Sequence, residues 1–89
     1  MHIELPEKLY YNIGEVAEAF KVNNSLIRFW EKEFDVLQPK KNAKGNRKFT
    51  PKDIKNLELI YHLVKQRGFT LEGAKTHLKE NKGKTLENF

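Results

Sequence analysis

The sequence predicts a mainly α-helical domain of four short helices, with a small two-stranded β-hairpin between the second and the third. Three observations predict it. Apolar residues recur at three- and four-residue spacing in four separate windows: 13–20, 26–34, 54–64 and 71–78. Capping signals punctuate these windows, as Asn12 with Glu15, Thr50-Pro51 with Asp53, and Gly68 at a helix end. Between the second and third windows lies a stretch with Pro39 and Gly45, no helical period and five basic residues.

At 89 residues the chain is one domain, large enough to fold alone but too small to enclose a sizeable active-site cavity. An apolar content of 38%, with six Phe, three Tyr and one Trp, is enough to pack these helices and argues against disorder throughout. Cysteine is absent, which excludes disulfides, thiolate metal sites and Cys nucleophiles. No apolar run approaches the ~18 residues of a spanning helix. The opening MHIELPEK carries acids where a signal peptide carries basic residues. The expectation is a cytoplasmic protein with no membrane partner.

The net charge of +5 is unevenly placed. Met1 to Leu37 holds four basic and seven acidic residues, Gln38 to Lys48 five basic and no acidic ones, and Phe49 to Phe89 eight basic and five acidic. The positive charge therefore has an address, and a local basic patch of this kind suits a polyanion.

In order along the chain, Pro6 argues against a regular element before Tyr11, so residues 1–11 read as an extended lead-in with Leu9 or Tyr10 packed on the domain. Asn12 caps a first helix and Glu15, at its third position, reaches back to complete a capping box. Ile13, Val16, Ala17 and Phe20 follow on one face, and the helix ends near Phe20. Lys21 and Val22 make a tight corner, and Asn23 or Asn24 caps the second helix. A connection of about three residues is helix-turn-helix spacing. After Phe34, Leu37 to Lys41 and Asn46 to Phe49 can pair around Asn42-Ala43-Lys44-Gly45, with Leu37 and Phe49 anchoring a positively charged wing. Thr50, Pro51 and Asp53 start a third helix expected to run to about Arg67, apolar around much of its circumference, with Gly68 at its end. Thr70 caps a fourth, with Leu71, Ala74 and Leu78 inward. Asn81 to Phe89 is polar and unpatterned.

The second helix carries two jobs. At ~100° per residue, Leu26, Ile27, Trp30 and Phe34 fall in one apolar arc while Ser25, Arg28 and Lys32 gather opposite, with Phe29 at the margin. A helix that packs on one side and offers Arg, Lys, Ser and an aromatic ring on the other suits contact with a major groove or with phosphates.

These residues resemble a known family. YYNIGEVAEAFKVNNSLIRFWEKEF, followed by LQPKKNAKGNRKFTPKDIKNLELIYHLVKQRGFTLEGAKTHL, is similar to the DNA-binding domain of MerR-type transcriptional regulators over about Tyr11 to Leu78. The IGEVA opening, the IRFWE segment and the GNRKFTPKDI block carry the likeness. The resemblance implies a winged helix-turn-helix with the second helix in the major groove and the wing on the flanking backbone. Carried over by position, Arg28 and Phe29 fall where the family touches DNA, Arg47 and its neighbours where the wing does, and Trp30 where the second aromatic packs. Lys21 stands in place of a usual Gly, so it is expected at positive φ, and Leu26 replaces a frequent hydroxyl residue. The family also implies a homodimer for a full-length protein and RNA polymerase as a possible partner, with a palindromic promoter distorted to switch transcription. Residues 12–80 would be the DNA-binding domain and 81–89 a tail that begins a dimerisation helix; the chain alone is expected to be a monomer or a weak dimer.

The expected duplex-DNA contacts are Asn24, Ser25, Arg28, Phe29 and Lys32 on the second helix, with Lys40, Lys41, Lys44, Asn46, Arg47 and Lys48 on the wing. His2, His62 and His77 are too far apart for a shared ligand motif, and no nucleophile-base pair, paired carboxylates or phosphate-cradling Gly loop is present, so neither a metal, a cofactor nor an enzyme is expected. Two other readings fit parts of the pattern. A protein-interaction module of the chaperone-modulator kind has no need of an acid-free wing, and an architectural DNA-bending excision factor differs from a regulator in its effect on a transcribed promoter.

Overall fold

The computed structural model describes residues 5–80. The predicted tail over 81–89, the start of the lead-in and His2 lie outside the described residues. The elements run α1 Ile13–Phe20, α2 Asn24–Glu33, β1 Lys40–Lys41, β2 Arg47–Lys48, α3 Pro51–Tyr61 and α4 Leu71–Glu80, a winged helix-turn-helix in outline.

α1 starts on the predicted capping box: the Glu15 N–H donates to Asn12 Oδ1 at 2.8 Å and the Asn12 N–H to Glu15 Oε1 at 3.1 Å. It ends at Lys21, which adopts φ 58° and ψ 44°, the left-handed conformation that the resemblance implies for a residue in place of the usual Gly. The Val22 N–H reaches Ala17 O and the Lys21 N–H reaches Glu18 O, which together form a Schellman closure without glycine. A lysine there bears a modest steric cost that the two bonds offset.

α2 departs from the expected start. Asn23 occupies the cap position, but its side chain makes no capping hydrogen bond. Only its carbonyl is used, by the N–H groups of Leu26 and Ile27. Packing holds this helix instead: Ile27, Trp30 and Phe34 are buried, while Leu26 is half-buried. Tyr61 of α3 stands behind the corner, its ring 5.9 Å from Phe20 and 6.4 Å, edge-on, from Trp30.

The hairpin is shorter than the predicted strands, with only Lys40↔Lys48 and Lys41↔Arg47 paired. Hydrogen-bonded pairs alternate along an antiparallel ladder, so the next N–H to face β2 is that of Gln38; it is given to Asp53 instead, and Leu37 turns inward to the core. Leu37 and Phe49 are buried as expected of anchors. The lead-in differs from expectation: Leu9 is 80% exposed and Tyr10 37%, and it is Tyr11 that is buried. Tyr11 bridges Phe49 antiparallel through two 2.8 Å hydrogen bonds, so the lead-in lies along β2 as a third, minimal strand.

α3 starts as predicted, with the Thr50 hydroxyl accepting from the Asp53 N–H at 3.2 Å and Asp53 Oδ2 accepting from the Thr50 N–H and hydroxyl at 3.0 Å. Its end is a correction. The α-helix stops at Tyr61 and a π-helical turn, His62–Gln66, carries the chain to Arg67, whose N–H bonds to His62 O five residues back. Gly68 at φ 72° closes it, with the Phe69 N–H on Leu63 O at 2.8 Å. Ile54, Leu57, Leu59, Ile60 and Leu63 form the centre of the core, against Ala74 and Leu78 of α4. No helix of the described residues is long and apolar enough to cross a membrane.

Candidate nucleic-acid interface

Burying Ile27, Trp30 and Phe34 obliges the other side of α2 to face solvent, because residues half a turn away cannot share the core. Asn24, Ser25, Arg28, Phe29 and Lys32 are all exposed, and Phe29 keeps 43% of its surface free, a large value for an aromatic ring in so small a domain. Among the described residues neither Arg28 nor Lys32 forms an ion pair. The intrahelical pairing that would make this an ordinary solvated face is therefore not formed.

The wing supplies the second group. Lys40, Lys41, Lys44, Asn46 and Lys48 are exposed. Arg47 is not: half-buried, it forms an ion pair through Nε with Glu31 on the flank of α2. Sequence reading grouped Arg47 with the free wing cations, whereas the structure uses it to tie the wing to the helix. The two groups of predicted residues are thus brought together by a charge pair between residues 16 positions apart. Glu31 was outside the expected site, and no local pattern marks it.

Two residues expected in the turn and at the start of α3 shape the wing through bonds that were not expected of them. Asn42 Oδ1 accepts the N–H groups of Lys44 at 2.9 Å and Asn46 at 3.0 Å, an Asx-type turn that fixes the tip and projects Lys44. An Asn opening a Gly-bearing turn is the signal that would have found it. At the root, Asp53 is buried, and besides capping α3 it accepts the Gln38 N–H at 3.3 Å. The Asn56 amide donates to Val36 O at 3.2 Å. α3 thereby grips the connection from α2 to β1 at two points.

At the far end of α2, Lys75 of α4 donates to Glu33 Oε1 at 2.9 Å. That hydrogen bond, with the charge of Lys75, holds the Glu33 carboxyl below its ordinary range and raises the Lys75 ammonium above its own. One of the acids on α2 is thus neutralised from behind, and Glu31 is neutralised by Arg47. The outward face of α2 is left with Arg28 and Lys32 as its charges.

This geometry has counterparts. The chain matches the family model described as MerR HTH family regulatory protein over residues 11–81. The regulator protein TubY of Clostridium botulinum C phage is 31% identical over 86 residues, 96% of this chain and 36% of that protein. The HTH-type transcriptional regulator ZntR of Escherichia coli K12 is 34% identical over 65 residues, 73% of this chain and 45% of that protein. Among solved structures, HiNmlR, a MerR family regulator lacking the sensor domain and bound to promoter DNA, superposes with a TM-score of 0.66 at 26% identity, over 90% of this chain and 68% of that one. A MerR family regulator from Bacillus cereus gives 0.69 at 26% identity, over 80% and 52%. The chain spans less than half the length of either curated relative. These relatives are regulators, not enzymes. With α1, the Lys21 corner, α2 and the wing all inside the matched stretch, the chain belongs to the MerR family of helix-turn-helix regulatory proteins.

Proposed function

We propose that this domain binds duplex DNA as the DNA-binding part of a transcription regulator, with α2 in the major groove and the wing on the adjacent phosphate backbone. One observation carries the reading. The exposed face of α2 and the exposed side chains of the wing hold cations, while the two acids of α2, Glu31 and Glu33, are engaged by Arg47 and Lys75. Such a surface attracts phosphates and gives no cause to bind a neutral or cationic partner. That HiNmlR is bound to promoter DNA supports the same assignment.

Within this reading Lys40, Lys41, Lys44 and Lys48 neutralise phosphates, Arg28 and Phe29 hold the backbone at the edge of the groove, and Asn24, Ser25 and Lys32 are placed toward the base edges. Asn46 sits at the wing tip beside Lys44, and Arg47 keeps wing and helix in register. A second copy on a palindromic site, and RNA polymerase acting at the same promoter, extend the reading to a longer protein working in the cytoplasm.

Selection of bound duplexes from a random pool tests it. Enrichment of one sequence, with binding that falls on a log-log salt plot by roughly 0.9 per phosphate contacted, is the expected result. A palindrome of fixed spacing would support the paired arrangement. An unenriched pool, or binding indifferent to salt, would overturn the assignment in favour of a protein-interaction module.

A further inference from the structure

The lead-in contributes to the wing in a way that the α2 and hairpin residues do not account for. β2 pairs with β1 through Lys41↔Arg47 and Lys40↔Lys48, and Phe49, the residue after β2, bridges on its other side to Tyr11 of the lead-in. Side chains alternate across a strand, so Arg47, Phe49 and Tyr11 share one face and Lys40, Lys48 and Tyr10 the other. The first face is turned inward: Phe49 and Tyr11 are buried and Arg47 meets Glu31. The second faces outward. There Lys40 Nζ lies 5.9 Å and Lys48 Nζ 5.7 Å from the centroid of the Tyr10 ring.

Two ammonium groups drawn to one ring repel each other, and the electron-rich ring face offsets that repulsion only in part. Among the described residues no carboxylate forms an ion pair with either lysine. Tyr10 itself is 37% exposed, and its hydroxyl has no hydrogen bond among those found in the described residues. Two cations and a free hydroxyl donor gathered on one aromatic plate lack the anion that would complete them. Tyrosine hydroxyls and lysines are both regular donors to phosphate oxygens, and the ring offers a flat apolar surface for a sugar.

We infer that Tyr10, with Lys40 and Lys48, forms a clamp on the outer face of the wing that holds the phosphate strand of the bound duplex. The inference rests on the DNA-binding reading and deepens it by adding a residue outside the helix-turn-helix and hairpin. DNA is favoured over an acidic protein surface because Lys40 and Lys48 belong to a stretch from Gln38 to Lys48 that holds five basic residues and no acid, with Lys44 exposed at its tip, a run of cations that suits a line of phosphates.

The test compares the chain with Tyr10→Ala, Tyr10→Phe and Lys44→Gln, each titrated onto the selected duplex across a salt series and each melted alone. Tyr10→Ala, which removes both the hydroxyl and the ring, is expected to weaken binding roughly ten- to a hundredfold at low salt, at least the worth of one hydrogen bond to a charged partner. Tyr10→Phe keeps the plate that gathers the lysines and is expected to lose less, with an unchanged melt, so it decides the matter where Tyr10→Ala also lowers stability. Lys44→Gln probes DNA binding without touching the clamp. If Lys44→Gln weakens binding while both Tyr10 variants bind as the parent does, the clamp is overturned and the outer face belongs to an acidic protein surface. If the parent binds no duplex, the reading of the whole domain falls first.

Discussion

α2 and the wing lie side by side and differ in the balance of forces that holds them. α2 is ten residues long and is seated by three buried side chains, Ile27, Trp30 and Phe34, without even a side-chain cap at its start. The wing has two residues per strand, and none of the four side chains is buried. Its root is anchored by buried Leu37 and Phe49, and polar ties do the rest: Asp53 to the Gln38 N–H, the Tyr11–Phe49 bridge, and Arg47 to Glu31. Hydrophobic seating is indifferent to salt, whereas exposed charges are screened within about 10 Å at 0.1 M. The helix is therefore a fixed reference and the wing the adjustable, electrolyte-sensitive part, so substitutions should sort into those that unfold the domain and those that only weaken binding.

The largest expected effect is at the seat of α2. Trp30→Ala should destabilise the domain by about 3–5 kcal/mol in a urea melt, whereas Phe29→Ala, one residue away on the exposed side, should stay within about 0.5 kcal/mol of the parent and lose DNA affinity. Equal destabilisation by both would break the division of α2 into two faces. Next, neutralising Lys40, Lys41, Lys44 and Lys48 together to Gln should leave the melt nearly unchanged while lowering affinity on the order of a hundredfold at low salt and flattening the salt slope by up to about 3.6, four contacts at 0.9 each. A wing variant that unfolded instead would mean that these lysines hold the fold.

A smaller effect belongs to the joint between the regions. Asp53→Ala removes the acceptor for Thr50 and for the Gln38 N–H, and should cost about 1–2 kcal/mol. Hydrogen exchange at Gln38 should accelerate beyond what that global loss explains. Protection retained at Gln38 would show that the wing root does not depend on Asp53. The smallest effect is that of Glu33 and Lys75, both well solvated. Because the Lys75 hydrogen bond depresses the Glu33 carboxyl, its contribution is complete above the ordinary carboxylate range and is lost as the pH falls through the depressed value. The raised Lys75 gives the converse, present below the ordinary lysine range and lost as the pH rises through its raised value. Glu33→Gln should slightly flatten the acid limb of a melting-temperature profile. An acid limb unaltered by it would assign acid sensitivity elsewhere, with Glu15, depressed by its hydrogen bond from Lys8, the next group to replace.

What was legible in the sequence follows the same contrast. α1 and α3 could be bounded because their starts are local chemistry: Asn12 with Glu15, and Thr50 with Asp53, each satisfy N–H groups three residues away. The left-handed Lys21 and the buried Trp30 were also foreseeable, one from the resemblance, which sets Lys21 where the family has Gly, and one from the stripe. The α2 cap was not, since an Asn at the right position need not use its side chain when packing already fixes the helix. Which lead-in residue packs depended on a bridge to Phe49, 38 positions along, and Tyr10 and Tyr11 are indistinguishable by type. The removal of Arg47 from the free cations depended on Glu31, whose placement beside the wing is a product of the whole fold. Local hydrogen bonding is written in neighbouring residues; the partners of a charged side chain are not.

The π-helical turn at His62–Gln66 bears on what this chain can undergo by insertion and deletion. It spends one residue more than an α-turn would between Tyr61 and Gly68, so everything after it is rotated by about 100° relative to an uninterrupted helix. Loss of a single residue there would let α3 run on regularly, yet it would turn Ala74 and Leu78 off the core and carry Lys75 away from Glu33. The number of residues between Tyr61 and Gly68 is thus itself coded information, a phase setting for α4 that no substitution within the segment could replace.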